Sequence, residues 1–90
     1  MSLTMPELVD CFGKATVEEA NYVGVLIKMP GFEKDEIIIN PKENFAGKMA
    51  YYNKTYDENL EHKHASGIAI VGFGYGNSLD EIVSNFEGYV

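Results

Sequence analysis

The segment GFGYGNSLDE, residues 72–81, puts glycines between an apolar run and a helix-forming stretch, where a phosphate-cradling chain would carry them. A dinucleotide site needs G-x-G-x-x-G at the first turn of a βαβ unit and an acidic residue on a further strand about twenty positions later. Gly72, Gly74 and Gly76 are spaced two and two, and the fourteen residues that follow Gly76 leave no room for that strand. A P-loop fails as well, because Phe73 and Gly74 stand where its Lys and Ser/Thr belong. What remains is a possible ligand turn at Gly74, Gly76, Asn77 and Ser78, where the amides of Ser78, Leu79 and Asp80 at the helix start could receive a small anion beside the negative charge of Asp80 and Glu81. The reading preferred here is architectural: the glycines permit a bulge or a tight strand-to-helix turn and let the helix pack closely.

His62 and His64, next to Glu61, are the weak candidates for a metal. No third ligand stands at a recognisable spacing, and on a helix the two imidazoles point about 200° apart. They are read as a solvated helix end, and no metal or other cofactor is expected. The carboxylate pairs Glu18-Glu19, Asp35-Glu36, Asp57-Glu58 and Asp80-Glu81 lie beside no candidate nucleophile. Ser78 lacks the second glycine of a nucleophile elbow, since Asp80 occupies that place. Cys11 is the one cysteine, so no internal disulfide can form; it reads as a buried small apolar side chain in a reducing compartment, the cytoplasm. No catalytic residue is assigned. Tyr51, Tyr75 and Tyr89 fall outside the apolar stripes and are candidates for an interface, where tyrosine is enriched.

Ninety residues, 46% of them apolar, suffice for one core, and residues 1–90 are read as one domain that an oligomer would help to stabilise. The formal charge is -7, all seven basic residues are Lys, and there is no Arg. Both features oppose a nucleic-acid partner, which is held by positive surface and bidentate guanidinium contacts. No stretch is long and apolar enough for a membrane span, and the first residues lack a signal-peptide pattern.

The elements that would position these residues read as follows. Thr4, Pro6 and Glu7 open a helix through Phe12, with Gly13 as its left-handed stop and Thr16 with Glu19 as a possible second capping box. Tyr22 to Met29 is continuously apolar apart from Lys28, as a central strand should be. Glu36 to Ile39 is a second strand, hairpinned to the first across Pro30-Gly31. Asn40-Pro41-Lys42-Glu43 starts a long helix whose stripe Phe45, Met49, Tyr52, Tyr56 and Leu60 covers the sheet. Ile68 to Phe73 is a third strand, Gly72 to Gly76 a turn, and Ser78 with Glu81 caps a last helix ending near Gly88. The whole is an α+β fold: a three-stranded, mainly antiparallel sheet of order 2-1-3, one long crossover helix, and shorter N- and C-terminal helices.

The stretch IKMPGFEKDEIIINPKENFAGKMAYYNKTYDENL resembles small uncharacterised open reading frames from phages and prophages of Gram-positive bacteria. That resemblance implies an accessory or host-directed role in the bacterial cytoplasm and transfers no site. The residues point first to a small non-enzymatic interaction protein, a homodimer that binds another protein. A ligand-binding domain or enzyme with its site at Gly74 to Asp80 is the second expectation, and an acidic DNA mimic the third.

Overall fold

A strand without alternating polarity must be covered on both faces, and Tyr22–Lys28 (β1) occupies the middle of the sheet. The structure is a computed structural model that describes residues 3–86. Around β1 stand α1 (Met5–Val17), β2 (Glu36–Pro41), a 3-10 turn (Lys42–Asn44), α2 (Phe45–Thr55), β3 (Ala69–Gly76) and α3 (Leu79–Ser84). Both strand pairings are antiparallel and the order is β2-β1-β3, the α+β arrangement expected from the sequence.

The register sorts the side chains. Val23, Val25 and Ile27 share one face with Phe73 and Ile70, and these join Leu8, Phe12, Ala15, Phe45 and Tyr52 from α1 and α2 in the core. Gly24 and Leu26 look the other way, with Gly72 and Gly74 beside them on β3 and Ile37 and Ile39 beside them on β2. Between Leu26 and Ile27 the pairing with β3 shifts: Leu26 faces Gly72 but Ile27 faces Ile70, so Val71 is an extra residue. That bulge lets Ile70 and Phe73, three apart, both enter the core.

Several boundaries differ from the sequence reading, each for a local reason. Gly13 does not stop α1, because Leu8, Cys11, Phe12 and Ala15 carry one buried face past it. Burying a large apolar side chain outweighs the roughly 1 kcal/mol that glycine costs inside a helix. The left-handed position falls on Glu19 (φ 57) instead. Its N–H donates to the Thr16 carbonyl at 3.2 Å and that of Ala20 to the Ala15 carbonyl at 2.9 Å, a Schellman closure. Thr16 forms no second box; its hydroxyl donates back to the Phe12 carbonyl at 2.9 Å. The first box does form: the Thr4 N–H donates to the Glu7 carboxylate at 2.9 Å.

Asn40 and Pro41 end β2 rather than begin a helix, since the Asn40 amide is drawn into the core. α2 stops at Thr55, and Tyr56 and Leu60 lie beyond it. Asp57 explains the stop: its carboxylate accepts from the N–H groups of Asn59 (2.8 Å) and Glu61 (3.0 Å), favouring a turn over further helix. The expected stripe is buried all the same at Phe45, Tyr52, Tyr56 and Leu60, with Met49 partly so. The turn also serves α1, whose Met5 N–H donates to the Glu58 carbonyl at 2.8 Å. Gly72 to Gly76 is strand, not turn. Gly88 lies outside the described residues. Among those described, no helix is long and apolar enough to cross a membrane.

Two non-glycine residues hold positive φ, Glu19 and Leu60 (φ 63), and they predict opposite outcomes for the same substitution. Glu19→Gly relieves a left-handed side chain and removes an acidic group from the C-terminal end of α1, so it should stabilise by about 0.5–1 kcal/mol. Leu60→Gly relieves similar strain but empties a fully buried site, so it should destabilise by about 2–4 kcal/mol. Urea unfolding of the two variants measures both signs.

Candidate functional site

The glycine segment is built for contact with α3. A Cβ on Gly74 would lie 2.8 Å from the backbone carbon and oxygen of Asn85 and 2.9 Å from the Ile82 oxygen. One on Gly76 would meet Glu81 Cβ at 2.7 Å, and one on Gly24 would run into Ile82 Cγ2. The three glycines thus make a floor onto which α3 settles with Ile82 fully buried. Sequence reasoning passed over Gly24, although a glycine inside the apolar run was the available signal.

Two amides at the start of α3, those of Asn77 and Glu81, are already engaged. Glu81 turns its carboxylate back to accept from the Asn77 N–H at 2.6 Å, and the Ser78 hydroxyl accepts from the Glu81 N–H at 3.3 Å. The Asn77 side-chain oxygen accepts from the Asn21 N–H at 3.0 Å, tying this turn to the entry of β1. Tyr75 donates its hydroxyl to the Glu18 carboxylate at 2.5 Å, and that hydrogen bond, foremost among the causes, holds its pKa above the usual phenol value. The amide of Asn85 donates to the Tyr75 carbonyl at 3.1 Å, so the end of α3 is stitched onto the outer side of β3.

His62 and His64 lie past α2, not at a helix end. Their rings are 6.3 Å apart, and the His64 N–H donates to Nδ1 of His62 at 3.0 Å, which occupies one lone pair a metal would use. His62 also sets its ring edge against Tyr56 at 5.3 Å and bridges to it in the small hairpin after α2. Among the described residues no group of three or more His, Cys, Asp or Glu is placed to hold a metal ion. Tyr51 is half exposed, with the Lys48 ammonium 4.9 Å from its ring centre. Tyr89 lies outside the described residues. The structure therefore places Tyr51, Tyr75 and the two histidines on separate elements.

Between α1 and α2 opens a groove of about 740 Å³ whose apolar walls include Phe12, Phe45 and Met49 and whose charges are Glu19, Lys42 and Glu43. Its hydroxyl, from Thr16, is spent on the Phe12 carbonyl, so no activated nucleophile faces it. Buried beneath α2, Asn40 and Tyr52 form a polar pair that the sequence reading missed. The Asn40 amide donates to the Val23 carbonyl at 3.1 Å, and the Tyr52 hydroxyl lies 3.4 Å from its oxygen. Burial pushes the Tyr52 phenol up to about 12, with the neighbouring Tyr56 and Tyr51 adding to the effect and the Asn40 hydrogen bond opposing it.

On the far face of the sheet lies exposed apolar surface. Ile37 (37%), Ile39 (39%) and Val83 (42%) all remain accessible, because α3 lies over β1 and β3 and is too short to reach across β2. Ile37 and Val83, with Leu26 and Phe86, line the apolar side of a cleft of about 270 Å³ whose other side is the charged loop Glu33, Lys34 and Asp35. The run Ile37-Ile38-Ile39 gave no sign of this, since three isoleucines in a row do not reveal which face is open. Compared with family models, curated proteins and solved structures, the chain matches none of them.

Gly74→Ala should destabilise by about 1–3 kcal/mol because the atoms it meets are backbone and cannot step aside. Gly47→Ala, in α2 with nothing within 4 Å, should stabilise by up to about 1 kcal/mol. Thermal unfolding of the pair tests whether the close approach, rather than loss of glycine as such, sets the cost. For Tyr52 the sign is that of a folded-state pKa above the unfolded one: the contribution is fully present below about pH 10 and is lost as pH rises towards about 12. Titration at 295 nm should show a last phenol ionising near pH 12, after the exposed ones and after Tyr56 and Tyr75, which are also raised, and Tyr52→Phe should remove that last step.

Proposed function

We propose that the chain is a small, acidic, non-enzymatic interaction protein of the cytoplasm that associates with itself and binds another protein in an accessory role. The observation that carries this reading is the exposed apolar surface beside the short α3: Ile37 and Val83 on one cleft, with Ile39 two residues along on the same face. A chain of ninety residues has little apolar area to spare, and leaving branched side chains of a strand in water invites a partner. The titratable side chains support the same reading from the other side. His62 accepts from the His64 N–H and sets its ring against Tyr56, Glu18 is engaged by Tyr75, and Glu81 caps its own helix, so these three side chains are spent on the fold.

Self-association is tested by sedimentation equilibrium of the full chain from low to several hundred micromolar. A monomer–dimer equilibrium is expected, and it should tighten as salt rises, because two chains of formal charge -7 repel and added ions screen that repulsion. A strict monomer over the whole range, at low and high salt alike, would remove this half of the proposal.

A further inference from the structure

The two edges of the sheet are not equivalent, and the hydrogen bonds say which one is open. On β3 the outward groups are taken at both ends. The Tyr75 carbonyl accepts from Asn85, the Ile70 N–H donates to the Leu60 carbonyl at 2.8 Å, and just before the strand the Ile68 carbonyl accepts from the His62 N–H at 2.9 Å. On β2 the phase is fixed by Lys42, whose N–H donates inward to the Asn21 carbonyl at 2.8 Å. Antiparallel residues alternate, so Asn40, Ile38 and Glu36 also turn their backbone groups towards β1, while Ile37, Ile39 and the Pro41 carbonyl turn theirs outward. Among the described residues nothing caps those outward groups.

We infer that a second copy of this chain pairs antiparallel with the β2 edge about a two-fold axis at Ile38, making a closed dimer with a continuous six-stranded sheet. This deepens the self-association proposed above and rests on it. In that register Ile37 of one copy lies opposite Ile39 of the other, and each pair exchanges both backbone hydrogen bonds. The residue without an N–H, Pro41, falls at the end of the pairing, where its missing donor costs nothing. The exposed Ile37 and Ile39 of both copies gather on the α3 face, and Ile38 meets its own symmetry mate on the other. The arrangement is self-complementary, as a two-fold interface has to be. A β2-to-β2 pairing uses up the same edge in both copies, and β3 is engaged towards both of its ends, so the pairing closes as a dimer.

The test is amide hydrogen exchange read by NMR on the full chain at several concentrations, with sedimentation in parallel. The amides of Ile38 and Asn40 should be protected at every concentration. Those of Ile37 and Ile39 should exchange fast when dilute and become protected as the dimer forms. Ile39→Lys, which adds a charge at an accessible site and acts on both copies at once, should raise the dimer dissociation constant by at least about tenfold. Val17→Lys, on an exposed site of α1, should leave it unchanged. A dimer whose Ile37 and Ile39 amides stay unprotected, or one indifferent to Ile39→Lys, overturns the edge assignment while self-association stands. A strict monomer overturns both.

Discussion

The backbone of α3 touches the backbone of β3, and most of the molecule's asymmetry follows from that contact. Glycine at positions 24, 74 and 76 removes every side chain that would hold the two apart. The helix sinks far enough to bury Ile82 completely, and Asn85, which caps its C-terminal end, comes within reach of the β3 edge. A helix of six residues settled over β1 and β3 cannot also cover β2. One close approach therefore closes one edge of the sheet and leaves the neighbouring strand bare on the other side.

The opposite face follows different rules. There α1 and α2 supply the apolar bulk, with Phe12 set edge-on to Phe45 at 5.5 Å. Asn40 is the polar exception, and it is satisfied. A buried amide that found no partner would cost more than its hydrogen bonds return, so the Asn40–Tyr52 pair specifies how α2 lies on β2 as well as adding to stability. Shifting α2 by a turn would leave the Tyr52 hydroxyl unpaired inside the core and the Asn40 side-chain oxygen without its donor.

The sequence carried the element order, the 2-1-3 sheet and the central place of β1, because these depend on patterns that survive averaging: an apolar run, a capping box at Thr4, a stripe of large side chains. It failed where one residue type serves two geometries. Asn40 before Pro41 has the form of a helix start, yet the same amide fits a polar niche in the core. Gly13 could stop a helix, but the buried face continued past it and the left-handed turn went to Glu19. Tyr56 and Leu60 keep the spacing of the stripe although the chain has left the helix. The candidate surface was harder still to read. Exposure of Ile37 and Ile39 depends on where a distant short helix comes to rest, and no local window of residues contains that information.

The extra residue at Val71 gives the chain a point of phase. Upstream of it β3 presents odd and even positions to one pair of faces; downstream the assignment is exchanged. Excising that single position would set Ile70 directly before Gly72 and two short of Phe73, a plain ladder in which each side chain keeps its face. The gene encoding this strand should accordingly bear the loss of the Val71 codon better than the loss of the Gly74 codon, beyond which no spare residue remains to restore the count.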